Sequence, residues 1–214
     1  MTQENYNLIL DVDSYKVSHF KQYPPNTKKL YAYIEARKLN NQELVFFGLQ
    51  AFIKKYLLNP ITQSDIDEAE NFLTEHMGVF NRDDWEYVLK KYDGFLPIEI
   101  KSVDEGTVTK TTLPLLEVTN TDEKLPWLVT YIETALLRSI WYPTSVATIS
   151  REIKKIIARY LSETTENFEE QLPFKLHDFG ARGVSSYESS RIGGAAHLLN
   201  VVGSDTVEGA MFLK

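Results

Sequence analysis

The chain has 214 residues, 43% of them hydrophobic and 12% aromatic, enough to pack one large domain or one and a half ordinary ones. A formal net charge of -7, offset by no Lys/Arg run beyond isolated pairs such as Lys28-Lys29 and Lys154-Lys155, argues against broad nucleic-acid binding and requires any anionic ligand to be held locally. The absence of cysteine excludes disulfides, thiolate catalysis and thiolate-bound metal, and with no basic-then-apolar leader and no window near the ~18 apolar residues of a membrane span the expected location is the cytoplasm.

Along the chain, Gln42 to Leu58 carries Leu44, Val45, Phe47, Leu49, Phe52, Ile53, Tyr56 and Leu57 in a helical pattern that Asn59-Pro60 ends. Thr62 and Asp65 have capping-box spacing for a helix reaching about Glu75, and Asn81 can cap another with Trp85, Val88 and Leu89 facing inward. Leu96 to Lys101 alternates apolar and polar residues, Asp104-Glu105-Gly106 is a turn, and Leu113 to Val118 is a second apolar run, together reading as a hairpin or meander. Pro126 suits the first turn of a helix running to Ile140, and Pro143 is expected to open another that reaches Leu161. The acidic stretch 164–170 marks a boundary, with an α+β domain over 1–165 and an α/β domain over 166–214. In the latter, strand (Phe174 to His177), helix (Val184 to Leu198), strand (Leu199 to Val202) and a helix from Thr206 alternate. Alternating βα units imply a parallel sheet or barrel, and about two units fall short of the eight of a TIM-like barrel, so the barrel is expected to be incomplete in this chain. The apolar end at Met211, Phe212 and Leu213, with no residue to cap its helix, points the same way.

The segment from Lys175 to Ser186 runs from a short strand through Gly180, Arg182 and Gly183 toward a helix. Such a turn lets backbone approach a ligand and offers N–H groups, a helix dipole and a guanidinium to an anion. Taken singly, Phe179 after a strand is more often a core residue, Arg182 suits a helix-end ion pair, Asp205 suits an N-cap, and Asp13 can cap an N-terminal helix. The four histidines lack metal-ligand spacing, and no nucleophile elbow, Walker loop or dinucleotide fingerprint is present.

Read together, the Lys175 to Ser186 segment, Asp13-Ser14-Tyr15-Lys16, Tyr23-Pro24-Pro25-Asn26-Thr27, Tyr92-Asp93-Gly94, Leu96 to Ile100, Trp141-Tyr142-Pro143 and Gly203-Ser204-Asp205-Thr206 resemble nicotinamide phosphoribosyltransferase over nearly the whole chain. The resemblance is to the N-terminal portion of that family. It implies a type II phosphoribosyltransferase fold and transfer of phosphoribosyl from phosphoribosyl pyrophosphate to nicotinamide, with Mg²⁺ on the pyrophosphate, ATP as activator, and a homodimer with shared sites. By position it implies that Phe179 and Tyr15, from opposite subunits, sandwich the nicotinamide ring. Asp205 would accept from the carboxamide, Arg182 bind on the phosphoribosyl or phosphate side, Asp13 enter the neighbouring site beside Tyr15, and Arg37 supply a cation near the pyrophosphate. Ala181 departs from the aromatic residue expected there. The family's catalytic His lies beyond Lys214 and passes to neither His177 nor His197, so no catalytic residue and no metal ligand is assigned, and this chain alone is expected to be inactive. Nicotinate phosphoribosyltransferase and a non-catalytic, dimerising or complementing half of a split enzyme are the alternatives.

Overall fold

A computed structural model describes residues 6–37 and 43–214. In chain order the strands and α-helices are β1 (Tyr31–Glu35), β2 (Glu43–Val45), α1 (Leu49–Phe52), α2 (Gln63–Met77), α3 (Arg82–Tyr92), β3 (Ile98–Ser102), β4 (Val108–Lys110), β5 (Pro114–Asn120), α4 (Leu128–Tyr131), α5 (Glu133–Thr164), α6 (Phe168–Gln171), β6 (His177–Asp178), α7 (Tyr187–Leu198), β7 (Gly203–Ser204) and α8 (Val207–Phe212). They form two compact units, each gathered from separate stretches: residues 6–34 with Ala51–Ser102 and Pro114–Arg138, and the described part of Glu35–Gln50 with Val103–Leu113 and Ser139–Lys214. This division follows a different line from the 165/166 boundary, because most of α5 groups with the residues after it.

In the first unit β3 and β5 pair antiparallel from Ile98↔Asn120 to Ser102↔Leu116, and β1 flanks β5. The helix starting after Thr62 has the expected capping box: Thr62 Oγ1 accepts from the Asp65 amide at 3.3 Å and Asp65 Oδ2 accepts from the Thr62 amide at 2.7 Å. Gly78, at φ 68°, ends α2 in the left-handed conformation. Asn81 precedes α3 but donates to Asp84 Oδ2 (2.9 Å) rather than accepting from a helix amide. Trp85 and Val88 are buried, and Trp85, Trp127 and Tyr131 meet edge to face with centroids 5.0 to 5.3 Å apart.

In the second unit the helix expected over 42–58 is replaced. Gln42, its expected start, lies outside the described residues; Glu43–Val45 forms β2, paired antiparallel with β4, and helix begins only at Leu49. The break is at Gly48, whose φ of 118° suits glycine and where an added Cβ would lie 2.5 Å from the Ser139 carbonyl oxygen. The run Leu44 to Phe47 is also apolar and β-compatible, and pairing with β4 decides the ambiguity. The two helices expected around Pro143 are one: α5 carries Pro143 inside it. A proline there costs about 3 kcal/mol, but side chains just beyond it bind the neighbouring segment. Thr144 Oγ1 accepts from the Phe47 amide and donates to its carbonyl (both 3.1 Å), and Thr148 Oγ1 accepts from the Val45 amide (3.0 Å). Val45, Phe47, Ala147, Ala195 and Ala196 make this unit's core. The strands expected at 174–177 and 199–202 shift C-terminally to β6 and β7, which pair parallel with His177↔Gly203 and Asp178↔Ser204. The final helix, expected from Thr206, is α8.

Candidate active site

Phe179 and Asp205 are the residues that immediately follow the paired strands β6 and β7, so the ladder places both at the carboxyl ends of parallel strands. Ligand sites of α/β folds collect there because the loops are free to vary while the strands hold their roots. One further bond, from the Asp205 amide to the Asp178 carbonyl at 2.9 Å, carries the pairing into the loops themselves.

Phe179 is 63% exposed and tilts 30° to the His177 ring at 5.9 Å, so it is a presented aromatic face and not a core residue. Arg182 sits in a 3-10 turn, Gly180–Gly183, exposed and without an ion pair among the described residues. The Asp205 carboxylate is exposed and has no hydrogen-bond donor or ion-pair partner among the described residues; Thr206, not Asp205, occupies the position before α8, and the Thr206 amide donates to Ser204 Oγ at 3.1 Å. The ordinary readings of these three residues, as core, helix-end ion pair and cap, therefore fail here.

The helix after the Gly/Arg turn starts later than the expected Val184. Ser186 is extended (φ -154°, ψ 167°) and its Oγ accepts from the Ser189 amide at 3.1 Å, so α7 opens at Tyr187 with its own cap in place. Gly183 to Ser186 thus separate Arg182 from the helix start, so the expected turn Gly180–Gly183 has no helix end directly joined to it.

Beneath the loops lie residues that sequence reasoning missed. Asp178 Oδ1 accepts from the Gly180 amide at 2.7 Å. Ser190 Oγ donates to Glu208 Oε1 at 2.5 Å, and that bond holds the Glu208 carboxyl below its ordinary value, while burial first and then the Asp178 charge push the Tyr142 phenol up. His197 is buried: Nε2 donates to the Gly203 carbonyl (3.0 Å), which leaves Nδ1 to accept from Ser150 Oγ (2.9 Å), a structural tie that locks β7 to α7 and α5. The apposition of α7 and α8 needs glycine, since a Cβ at Gly209 would lie 2.7 Å from Gly194 Cα.

Asp13 and Tyr15 belong to the first compact unit. Asp13 Oδ2 accepts from Thr134 Oγ1 (2.5 Å). Tyr15, in the 3-10 helix Ser14–Lys21, is 56% exposed, with the Lys16 ammonium 5.2 Å from its ring centroid; that ammonium is buried and bonded to Glu133 Oε2 at 2.5 Å. Arg37 follows β1, exposed, in the second unit. Among the described residues no group of three or more His, Asp or Glu side chains could hold a metal ion, and no helix is long and apolar enough to cross a membrane.

Residues 7–100 match the family model described as Nicotinamide phosphoribosyltransferase, N-terminal domain, and residues 174–214 match that of the Nicotinate phosphoribosyltransferase (NAPRTase) family. The chain is 45% identical over 208 residues to a nicotinamide phosphoribosyltransferase of Xanthomonas campestris pv. campestris, covering 97% of this chain and 44% of that protein. Proteins of the same name from Acinetobacter baylyi (31% over 219 residues; 94% and 43% covered) and Mycoplasma pneumoniae (30% over 230 residues; 96% and 50%) are also similar. The chain therefore spans about half the length of the curated relatives it matches. In fold it is similar to human Nicotinic Acid Phosphoribosyltransferase (TM-score 0.66, 16% identity, 92% of this chain and 36% of that one) and to nicotinate-nucleotide pyrophosphorylase from Pyrococcus furiosus (0.58, 18%, 98% and 41%). Along nearly its whole length, then, the chain is a relative of the nicotinamide phosphoribosyltransferases.

Proposed function

We propose that this chain is the N-terminal part of a cytoplasmic enzyme of NAD salvage that makes nicotinamide mononucleotide and pyrophosphate from nicotinamide and phosphoribosyl pyrophosphate. The observation that carries the reading is the pairing of an exposed aromatic face, Phe179, with an exposed carboxylate, Asp205, unpartnered among the described residues, on neighbouring strand ends. A flat heteroaromatic amide needs both: a face to stack on, and an acceptor for its NH₂. A carboxylate at Asp205 attracts the carboxamide and repels nicotinate, which gives the preference a sign.

In the reaction the nicotinamide ring nitrogen bonds to C1 of the ribose as the C1–O bond to pyrophosphate breaks and pyrophosphate leaves with the electron pair. Phe179 holds the ring edge toward that carbon, Asp205 fixes its rotation about the stacking axis, and Arg182 in its glycine turn binds phosphate oxygens in a bidentate fork. Tyr15 of a second copy closes the other ring face in a homodimer with shared sites; the ion pair of buried Lys16 with the half-exposed Glu133 carboxylate supports the role by anchoring the residue next to it. Asp13 and Arg37 are proposed on the phosphoribosyl and pyrophosphate side. Mg²⁺ is proposed to arrive on the pyrophosphate as part of the substrate. ATP is proposed to activate through residues outside this chain. β6, α7, β7 and α8 are read as the first units of a TIM-like barrel. The match of residues 174–214 to the nicotinate family favours nicotinate phosphoribosyltransferase as the second reading.

Titration of the 214-residue chain with nicotinamide, followed on the Phe179 ring resonances, tests the reading. Binding that shifts them is expected, with affinity reduced by about 1–3 kcal/mol in Phe179→Ala, the usual cost of losing a stacked base. Given phosphoribosyl pyrophosphate and Mg²⁺ as well, the chain alone should form no nicotinamide mononucleotide. Unperturbed Phe179 resonances at saturating nicotinamide would refute the assignment of the slot.

A further inference from the structure

We propose that Asp178 is a positioning residue that sets the spacing between the ring platform and the amide-reading carboxylate, an inference that rests on the function proposed above. Asp178 is the last residue of β6, and it acts on both loops at once. Its main-chain carbonyl accepts from the Asp205 amide at 2.9 Å, which fixes where the Asp205 loop leaves the ladder. Its side chain turns back on its own loop, Oδ1 accepting from the Gly180 amide at 2.7 Å. Such a side-chain-to-backbone turn imposes the direction of the chain that carries Phe179 and, two residues past Gly180, Arg182.

Two glycines make room for this carboxylate. A Cβ on Gly180 would lie 2.8 Å from Asp178 Oδ1, and one on Gly194, in α7, would lie 3.3 Å from Oδ2. The carboxylate is thus seated between its own turn and the helix that follows, and Gly180 serves as the mate of Asp178 in addition to any approach to a phosphate. The half-buried Asp178 carboxylate is committed to the Gly180 amide on one side and faces Gly194 of α7 on the other, so its part is to hold the loop. The charge-assisted bond to the Gly180 amide belongs to the stronger class of hydrogen bonds, and a misplacement of about 1 Å at such a site can cost on the order of a hundredfold in function.

The test is amide hydrogen exchange and nicotinamide titration of the 214-residue protein and three variants. Asp178→Ala is expected to speed exchange at Gly180 by roughly tenfold and to weaken nicotinamide binding by a similar factor. Asp178→Asn, which keeps an acceptor oxygen, should stay within about threefold of wild type in both measures, a rescue that a general loss of packing would not give. Gly180→Ala, whose methyl would meet Oδ1, should behave like Asp178→Ala. The amides of Val45 and Phe47, in the core of the same unit, report whether a variant has folded; if Asp178→Ala fails there, Gly180→Ala decides. Unchanged Gly180 exchange in the folded variants overturns the proposal, and so does nicotinamide affinity equal to wild type in Asp178→Ala. A wild-type chain that does not bind nicotinamide overturns the functional reading itself, and that failure is recognised before any substitution is made.

Discussion

Asp122 is 8% exposed and holds its charge through donors alone: the hydroxyls of Tyr92 (2.5 Å) and Tyr87 (3.1 Å), the Lys91 ammonium (2.9 Å) and the Lys124 amide (2.8 Å). Burial by itself would raise its carboxyl, but the bonds from Tyr92, Lys91, Lys124 and Tyr87 outweigh burial and hold it well below the usual carboxylate range. A folded value below the unfolded one means that the stabilisation is complete above the ordinary pKa of about 3.9 and is withdrawn as pH falls below it. The denaturation midpoint of wild type should therefore fall more steeply between about pH 4 and pH 2 than that of Asp122→Asn, and equal slopes there would contradict this reading. At the site, residues differ in how legible they are in the sequence. Phe179, Arg182 and Asp205 are proposed from their order within a motif, and their exposure separates them from core, ion-pair and cap residues of the same type. Asp178 stands in the same motif and is missed, because half of its proposed role, the main-chain bond to the Asp205 amide, is set by the pairing of β6 with β7, 26 residues apart at His177↔Gly203, and only beside that bond does its local turn to the Gly180 amide gain meaning.

At the scale of elements, local chemistry was readable where a single short interaction decides the outcome. The Thr62–Asp65 box closes as its spacing requires, and Thr62→Ala should lower stability by about 1 kcal/mol, read as a shift in the denaturation midpoint; no shift would mean that α2 is held by packing alone. Where tertiary contacts compete with local preference, the sequence misled. Leu44 to Phe47 fits a helix face as well as a strand, and only the register with Val108–Lys110 makes it β2. Pro143 reads as a helix start, yet Thr144 and Thr148 bond the backbone of Phe47 and Val45, and these lateral ties keep α5 continuous through it. The strands β6 and β7 have two residues each, too short for a periodic signal, so their positions were displaced by a few residues. The start of α7 is governed by the Ser186 cap, which places it three residues later than the apolar pattern suggests.

For the whole molecule, the decisive facts are two compact units interleaved in sequence and a similarity that spans nearly all of this chain but about half of its relatives. The interleaving could not be read from the sequence, because it depends on β2 and β4 grouping with residues after 138. The broad class could be read, since the helices after Thr62 and Asn81 and the late βα alternation appear in the structure, although the helix expected over 42–58 does not. The proposed function at this scale is chemical: a base-reading site at the ends of β6 and β7, built for an amide. Direct competition of nicotinamide against nicotinate for the 214-residue chain, in wild type and Asp205→Asn, tests this claim. The account expects wild type to prefer nicotinamide by about tenfold or more and Asp205→Asn to lose most of that preference, since the repulsive charge is gone. Nicotinate binding as well as or better than nicotinamide to wild type, or a preference that survives the substitution intact, would contradict it.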